Sequence, residues 1–250
     1  MWTPTALACE ARTLRGECWR AVEDQHSATT RRLTDTAAEQ ELLEDILEET
    51  KPAVPPACAG LHYLLQTPFR YRASPPHGSR FRAPGERRGV FYASVDVPAA
   101  MAELAFWRLL FFEASTAAVT PRNTAVLTAF SVTYDSGHGL DLTRPPLARD
   151  RAAWTAPADY TATQALAGQA RDAGVEVLRY ESVRDPRGYT NLAILECGAF
   201  ARREPVRQQT WRLWVDRRGV EARRAVGDEP ALVFRRDDFH ADPRLPPLER

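Results

Sequence analysis

One segment limits the possible folds of this chain more than any other: MAELAFWRLLFF, residues 101–112. Its apolar residues cover almost every side of the helix that its spacing predicts, which is typical of a helix buried on more than one side. The one acidic residue in the segment, Glu103, shares its helical face with apolar residues only. These neighbours are Ala99, Ala100, Phe106, Trp107 and Leu110. The fold must therefore give this carboxylate a partner or a polar cleft, because an unpaired buried carboxylate costs several kcal/mol.

Helical spacing alone leaves two interpretations of Glu103 open. In the first, the carboxylate forms a structural ion pair with Arg108 or with an arginine of the segment SRFR, residues 79–82. In the second, it lies in a cleft whose surroundings tune its chemistry, as they do for many catalytic carboxylates. The polar and aromatic residues that share its surroundings decide between the two.

Three residues that precede Glu103 favour the cleft. Tyr92 lies in the predicted strand GVFYASV, residues 89–95, which leads into the helix of Glu103. Arg70, in TPFRY, and Arg80, in GSRF, precede that strand. Two guanidinium groups near a carboxylate and an aromatic ring suit a phosphorylated ligand that carries a ring.

The chain is predicted to divide near residue 56, where the segment KPAVPPAC carries prolines that no helix interior tolerates. Before it, residues 17–50 are predicted to be helical. Thr36 and Glu39 have the spacing of a capping box, and leucine and isoleucine then recur at helical intervals. We therefore expect an N-terminal helical extension, residues 1–56, followed by a second domain, residues 57–250.

The second domain mixes strands and helices. Helices are predicted at residues 96–112 and 158–174, and strands at residues 89–95, 124–134, 175–180, 190–197 and 208–216. Turn sequences such as DPRG join neighbouring strands more often than helices do. This pattern predicts an α+β fold.

Composition excludes several classes of function. Acidic and basic residues balance at 33 each, which argues against a protein that wraps nucleic acid or lies on an anionic membrane. Cys9, Cys18, Cys58 and Cys197 form no CxxC motif, and the histidines form no pair with metal-ligand spacing. We therefore expect no metal site and a reduced compartment. The N-terminus resembles no leader peptide, and no run is apolar enough to cross a membrane, so we expect a cytoplasmic protein.

At these positions the sequence resembles the RES-domain family, which is named for its Arg, Glu and Ser. The resemblance covers about residues 60–200. The matching segments are TPFRY with Arg70, GSRF with Arg80, GVFYAS with Tyr92, AAMAE with Glu103, and RYESVRDPRGYTNLAIL with Ser182 and Asn191. The order and spacing of these segments make the resemblance more specific than any one of them.

The resemblance implies a function. RES proteins are bacterial toxins of toxin–antitoxin pairs, usually encoded beside an Xre-type antitoxin, and they degrade NAD. It therefore implies a cognate Xre-type antitoxin as partner and cleavage of the nicotinamide–ribose bond of NAD, by hydrolysis or phosphorolysis, without a metal. Neither nucleic acid nor a membrane is an expected partner, and a homodimer is an open alternative.

The resemblance also implies a fold. It is that of the ADP-ribosyltransferases, with mixed and antiparallel strands around a cleft that holds NAD. The N-terminal helical extension then belongs to a longer variant of the family. One departure is Arg82, which follows SRF where the family usually has glycine, and this bears on how closely the backbone approaches the ligand there.

The family pattern also assigns roles to residues of this chain. Glu103 would stabilise the oxocarbenium-like charge that forms on the ribose, and Arg80, Tyr92 and Ser182 would complete the catalytic set. NAD would be bound by Arg70 and Arg80 at the pyrophosphate or ribose oxygens, by the Tyr92 ring, and by the Ser182 hydroxyl. Asn191 matches the pattern but is left outside the catalytic set.

Other functions stay open at this point. A protein ADP-ribosyltransferase would use the same cleft with a protein as acceptor. A module for protein interactions would need no cleft chemistry, and its Glu–Arg pairs would be structural. An RNA-cleaving toxin is disfavoured, because the chain is neutral and lacks a histidine pair.

Overall fold

The computed structural model describes residues 2–23, 34–73, 76, 78–114 and 124–248. Within this part of the chain, eight strands form one sheet. The strands, β1 to β8, span Arg12–Glu23, Phe91–Ser94, Ala125–Asp141, Val177–Glu181, Thr190–Ile194, Arg207–Asp216, Gly219–Arg224 and Leu232–Arg235. The α-helices, α1 to α6, span Pro4–Glu10, Ala37–Thr50, Tyr63–Arg70, Val97–Ala114, Arg151–Trp154 and Thr161–Asp172. The predicted α+β architecture is confirmed.

Part of the sheet closes on itself. The strand order is β1-β2-β5-β4-β3-β6-β7-β8, and β1 also pairs with β3, so that β1, β2, β5, β4 and β3 form a ring. The length of β3 makes this possible, because its 17 residues pair with β1, β4 and β6 along different stretches. The β3–β4 pair is parallel. The resulting barrel continues into a sheet extension formed by β6, β7 and β8.

β1 corrects one prediction. The sequence predicts a helix over residues 17–50, but residues 17–23 lie in β1. This strand pairs antiparallel with β3 from Arg12 to Glu23, and the long-range pairing outweighs the local helical pattern. The first part of the predicted N-terminal helical extension is therefore a strand of the barrel.

The rest of the N-terminal prediction has two outcomes. Residues 24–33 lie outside the described part of the chain. Residues 37–50 form α2, which begins at the capping box of Thr36 and Glu39. The domain boundary at residue 56 stays a prediction, although β1 joins the segment before it to the same sheet as the segment after it.

α4 is the deeply buried helix that its sequence predicts. Its residues Met101, Ala105 and Phe106 are fully buried against Leu127 of β3 and Trp211 of β6. The Asp96 carboxylate accepts a hydrogen bond from the Ala99 backbone at 2.7 Å and caps the first turn. Trp107 and Phe111 lie on the remaining face, and they are 47% and 58% exposed. The packing fixes the rotation of α4 and hence the direction in which Glu103 leaves it.

Two further apolar clusters hold the strands around α4. One contains Phe91 of β2 and Phe130 of β3, whose rings meet edge to face at 6.1 Å. The other contains Leu166 of α6 packed with Leu178 of β4. No helix within the described ranges is long and apolar enough to cross a bilayer.

A disulfide bond joins Cys58 to Cys197, which are 139 residues apart. Its partners form no local motif, so the sequence did not indicate the pair. Disulfide bonds are uncommon in a reducing cytoplasm, so this bond does not support the reduced compartment that the cysteine spacing favours. Cys18 is buried and free, and burial raises the pKa of its thiol well above the ordinary value. Cys9 is free and exposed.

The four cysteines should therefore react in three steps. Native protein without reductant should be alkylated at Cys9 alone, because Cys18 is buried and its thiol is protonated. Denaturation should add Cys18, and reduction should add Cys58 and Cys197. Mass spectrometry after alkylation counts the sites, and labelling of all four cysteines in denatured, unreduced protein would show that the bond is absent.

Candidate active site

A cavity of about 360 Å³ lies where the barrel meets α4. β1 contributes Trp19 and Arg20 to its wall, β2 contributes Tyr92, and α4 contributes Glu103. The remaining wall comes from loop residues such as Arg80 and from Asn191 of β5. Residues from distant parts of the sequence therefore meet in one pocket, and Glu103 and Tyr92 line it together, as the cleft interpretation requires.

Neutral donors hold the Glu103 carboxylate. Ser182 Oγ donates a hydrogen bond to Glu103 Oε1 at 2.9 Å, and Asn191 Nδ2 donates one to the same oxygen at 2.6 Å. Glu103 Oε2 has no hydrogen-bond partner among the described residues. One oxygen is thus fixed in place, while the other is available to a bound molecule.

The ion-pair interpretation of Glu103 is not supported by these contacts. Arg108 pairs with Glu23 of β1. Arg80 donates to the Trp154 carbonyl oxygen at 2.8 Å. Within the described part of the chain, no arginine forms an ion pair with Glu103, so its charge is held without being neutralised.

Ser182 lies behind the cavity wall rather than in it. Its hydroxyl donates to Glu103 and accepts hydrogen bonds from the backbone nitrogens of Arg184 and Asp185, at 3.2 and 3.0 Å. The side chain is only 5% exposed. The resemblance predicts that this hydroxyl contacts the ligand, but its contacts make it an anchor for Glu103 and for the turn after β4.

Asn191, which the sequence left outside the catalytic set, is the second anchor. It is 1% exposed and lines the cavity. Ser94 Oγ donates to Asn191 Oδ1 at 2.7 Å, and this bond orients the amide so that its nitrogen faces Glu103. Ser94 and Asn191 are direct cross-strand neighbours of β2 and β5. The strand register therefore sets the position of the carboxylate.

Arg80 reaches the cavity from a tight loop. Ser79 and Arg82 exchange backbone hydrogen bonds of 2.8 and 3.0 Å across it. Gly78 has a φ of +61°, and a Cβ there would lie 2.2 Å from the Arg82 carbonyl oxygen. The guanidinium of Arg80 is held by the Trp154 carbonyl and lies 4.8 Å from the centroid of the Tyr160 ring. It is brought to the cavity as predicted, and it has no carboxylate partner among the described residues.

Arg82 does not line the cavity, although it replaces the glycine that is usual in the family. Its Nη2 donates to the Tyr71 carbonyl oxygen, and burial lowers the pKa of the guanidinium. The side chain therefore braces the loop that carries Arg80. Because the Arg82 side chain lies outside the cavity wall, its bulk does not keep a ligand away from the backbone of the Arg80 loop.

Sequence reasoning missed two arginines of the cavity wall. Arg20 of β1 donates to the Tyr92 carbonyl oxygen at 2.8 Å and lies 5.1 Å from the centroid of the Phe91 ring. Arg184 follows Ser182 and lies 3.8 Å from the centroid of the Phe106 ring. Arg20 was hidden by the helical prediction for residues 17–50. Arg184 stands inside the ESVR segment, and its closeness to Ser182 was the available signal.

Tyr92 lines the cavity with its ring. Its hydroxyl accepts a hydrogen bond from the Phe81 backbone nitrogen at 2.9 Å and shares one with Ser79 Oγ at 2.8 Å. Burial raises the pKa of this phenol, so it stays protonated at neutral pH. The hydroxyl holds the Arg80 loop, which leaves the ring face as the part of Tyr92 that can contact a ligand.

Arg70, predicted to bind the ligand, is not brought to the cavity. It ends α3, where its Nη1 pairs with Glu48 Oε1 at 2.6 Å and its Nε donates to the Pro52 carbonyl oxygen at 2.8 Å. These contacts tie α3 to the end of α2. The α2 helix supplies the carboxylate that neutralises Arg70, so the structure gives this arginine a structural contact and no place in the pocket.

The structure shows no sign of a metal centre in its described ranges, where no three His, Cys, Asp or Glu side chains cluster closely enough to hold an ion. The residues that line the cavity include one carboxylate, Glu103, the three arginines Arg20, Arg80 and Arg184, and aromatic residues such as Tyr92. These groups can stabilise positive charge near Glu103 and bind negative charge near the arginines.

The anchoring of Glu103 can be tested through stability. Ser182→Ala removes one donor to Glu103 Oε1 and the acceptor of two backbone nitrogens. We expect it to lower the free energy of unfolding by about 1–3 kcal/mol, because these buried groups lose their partner. Urea denaturation measures the change.

Thr155→Ala is the matched control for Ser182→Ala. Its hydroxyl donates to a backbone carbonyl oxygen at 2.9 Å near the surface, so we expect its loss to cost less than about 0.5 kcal/mol. Equal effects of the two substitutions would contradict the anchoring role of Ser182.

A comparison with curated proteins found no match. Among solved structures, a chain of the crystal structure of the M. tuberculosis MbcT–MbcA toxin–antitoxin complex matches with a TM-score of 0.49 and 11% sequence identity, over 82% of this chain and 89% of that chain. The family described as RES domain matches residues 54–216. Since this match includes well over half of the 250 residues, the chain belongs to the RES-domain family.

Proposed function

We propose that this chain is the toxin of a bacterial toxin–antitoxin pair and that it cleaves the nicotinamide–ribose bond of NAD. The observation that carries the proposal is the state of Glu103, a carboxylate with one anchored oxygen, one free oxygen and no ion pair among the described residues. It shares its cavity with aromatic rings and with guanidinium groups. Membership of the RES-domain family and the resemblance of its motifs to NAD-degrading toxins support the same function.

The free oxygen of Glu103 would act at the ribose. When the bond between nicotinamide and ribose C1′ breaks, the electron pair stays on the nicotinamide nitrogen and positive charge develops at C1′. A carboxylate beside that carbon stabilises the charge and can accept a hydrogen bond from a ribose hydroxyl. An oxygen of water or phosphate then bonds to C1′, and the proton that water loses passes to solvent. ADP-ribose or its phosphate ester is the second product.

The arginines would bind the pyrophosphate. Arg20 and Arg80 both line the cavity, and both give their guanidinium hydrogen bonds to backbone carbonyl oxygens rather than to carboxylates. A buried guanidinium without an anionic partner favours a ligand that brings negative charge. We assign this contact to Arg20 and Arg80 rather than to Arg70, whose guanidinium pairs with Glu48.

Tyr92 and Ser182 would act less directly. The Tyr92 ring can stack on the nicotinamide, while its hydroxyl remains bonded to the Arg80 loop. Ser182 would hold Glu103 in position instead of touching NAD. Asn191 would do the same from β5. The catalytic set of this proposal is therefore Glu103 with Arg80, Arg20 and the Tyr92 ring, positioned by Ser182 and Asn191.

An antitoxin would cover an apolar surface at the cavity. Trp107 lines the cavity and is 47% exposed, and Phe111, one turn further along α4, is 58% exposed. Large exposed apolar side chains next to a binding site are typical of a surface that a protein partner covers.

We assign this partner to the Xre type by the family resemblance, and we place its action in the cytoplasm. We also propose that the fold is of the ADP-ribosyltransferase kind.

Removal of the Glu103 charge should abolish most of the activity. We expect purified protein to release nicotinamide from NAD, and we expect Glu103→Gln to lower kcat by a factor of about 10² to 10³, because it removes the charge that stabilises the oxocarbenium-like state. Glutamine has the same shape and can keep a hydrogen-bonded oxygen, so the variant should fold normally. Nicotinamide release is followed by chromatography, and folding by circular dichroism.

Glu41→Gln is the matched control, because this substitution removes the same charge from an exposed position on α2. It should keep the activity of the wild-type protein. A folded Glu103→Gln variant with full activity would overturn the role of Glu103, and a wild-type protein that leaves NAD intact would overturn the proposed function.

The same assay identifies the acceptor. ADP-ribose as the product indicates water, and a phosphate ester of ADP-ribose in phosphate buffer indicates phosphorolysis. A stable adduct on a protein from cell extract, found by mass spectrometry, would instead identify a protein ADP-ribosyltransferase. An interaction module whose Glu–Arg pairs are structural would leave cells healthy, with an unchanged NAD level, when it is expressed without an antitoxin.

A further inference from the structure

The C-terminal segment, residues 236–245, packs against the cavity wall although it lies beyond the part of the chain that matches the RES domain. Phe239 is 3% exposed, and its ring lies 5.7 Å from that of Phe106 on α4. Leu245 is fully buried in the same cluster. Arg236 Nη2 pairs with Glu113 Oε2 at 2.8 Å at the other end of the segment. These contacts fix the segment along α4.

Asp242 is the buried acid of this segment. It is 1% exposed, and its carboxylate pairs with Arg184 Nη2 at 2.6 Å and with Arg244 Nη2 at 2.8 Å. Arg244 adds a second side-chain bond of 3.0 Å and a backbone bond of 2.9 Å. Burial disfavours the charged form, but the hydrogen bonds from Arg244 and the charges of both arginines hold the pKa of Asp242 below its ordinary value. The carboxylate is therefore ionised at neutral pH.

Arg184 is held by one of its nitrogens only. Nη2 contacts Asp242, donates to the Pro157 carbonyl oxygen at 2.6 Å, and lies 3.4 Å from the Tyr160 hydroxyl. Nε and Nη1 make no hydrogen bond to any described residue, and the side chain lines the cavity. The guanidinium of this cavity residue is thus fixed at Nη2, while Nε and Nη1 keep donors without a described partner.

Asp242 also provides the negative charge between two neighbouring arginines, Arg184 and Arg244. Arg184 and Arg244 both donate to the Pro157 carbonyl oxygen, at 2.6 and 3.2 Å, so their guanidinium groups lie close together. Both lie near the Phe106 ring, at 3.8 and 5.6 Å from its centroid. The negative charge of Asp242 compensates this pair of cations. Without it, repulsion between the two guanidinium groups would disfavour the present position of Arg184.

We propose that Asp242 is a positioning residue: it holds Arg184 so that the free nitrogens of the guanidinium bind a phosphate oxygen of the substrate. This inference rests on the proposed function and extends the site beyond the family match. Planar guanidinium groups bind phosphate oxygens in a fixed geometry, so their orientation decides the strength of the contact. The C-terminal segment then belongs to the substrate-binding unit of this chain.

Asp242→Asn tests the proposal in the full-length protein. It keeps the size of the side chain and removes its charge. We expect KM for NAD to rise by about tenfold, the loss of one charge-assisted contact, while kcat changes by less than about twofold. A merely structural role would lower the amount of active enzyme and leave KM unchanged. Asp237→Asn makes the same charge change at an exposed position of the same segment and should leave both constants unchanged.

Arg184 provides the second arm of the test. In an Arg184→Ala background, Asp242→Asn should raise KM no further, because Asp242 acts through Arg184. If Asp242→Asn does not fold, Arg184→Lys decides: lysine keeps the charge but lacks the fork, so KM should again rise by about tenfold. A wild-type KM in folded Asp242→Asn, additive effects in the double variant, or a wild-type KM in Arg184→Lys would each overturn the proposal.

Calorimetry with ADP-ribose separates this inference from the proposed function. If wild-type protein does not cleave NAD but binds ADP-ribose, and Asp242→Asn binds it about tenfold more weakly, the reaction is wrong and the positioning role stands. If wild-type protein cleaves NAD and Asp242→Asn has its KM, only the positioning role is wrong. Wild-type protein that neither cleaves NAD nor binds ADP-ribose would overturn both.

Discussion

The hydrogen bonds that Ser182 and Asn191 donate to Glu103 Oε1 impose the strictest geometric demand on this fold, because they join three separate elements at one oxygen atom. α4 must be packed in one rotation to present Glu103. β4 must end where Ser182 can reach it, and β5 must pair with β2 in the register that places Asn191 beside Ser94. Both donors are neutral, so Glu103 Oε1 is satisfied without an ion pair. Burial of α4 would otherwise be hard to reconcile with an acidic residue on its apolar face.

Closure of the barrel serves the same site. β1 pairs with β3 along almost its whole length, and its residue Trp19 also pairs with Ser94 of β2. This second pairing places Arg20 beside Tyr92, whose carbonyl oxygen accepts the hydrogen bond from Arg20 Nη1. An open sheet would leave this edge to water, and Arg20 would be a surface residue. The strand before the family match therefore contributes both to the architecture and to the charge of the cavity.

The periodic pattern of apolar residues predicted the helices and strands that depend on residues close together in the sequence. The buried α4 helix, the capped α2 helix and the strands on both sides of the DPRG turn follow from spacing and turn chemistry. The apolar face of Glu103 indicated that its carboxylate needs a partner or a polar cleft. What the sequence could not supply was long-range pairing. The local pattern of residues 17–23 predicts a helix, but in the structure these residues pair with β3 as part of β1. Likewise, no local motif indicates the bond between Cys58 and Cys197, which are 139 residues apart. Arg70 is a different case: the family motif predicts a ligand contact for it, whereas in the structure its guanidinium pairs with Glu48 of α2, a helix outside the motif.

The charges of the cavity limit the ligand that it can hold. Arg184 has Asp242 as a counter-charge, and Glu103 contributes one negative charge to the wall, whereas Arg20 and Arg80 have no carboxylate partner among the described residues. Burial lowers the pKa of Arg20 to about 10, because a guanidinium charge is less favourable away from water. The group is still protonated at neutral pH. An anion that binds beside it would therefore compensate the buried positive charge, which strengthens binding of the anion. Because the two unpaired guanidinium groups lie on different elements of the wall, a ligand with negative charge at two linked groups satisfies them better than a single anion does. A pyrophosphate joined to a ribose has this arrangement, and it would leave the free oxygen of Glu103 to the sugar.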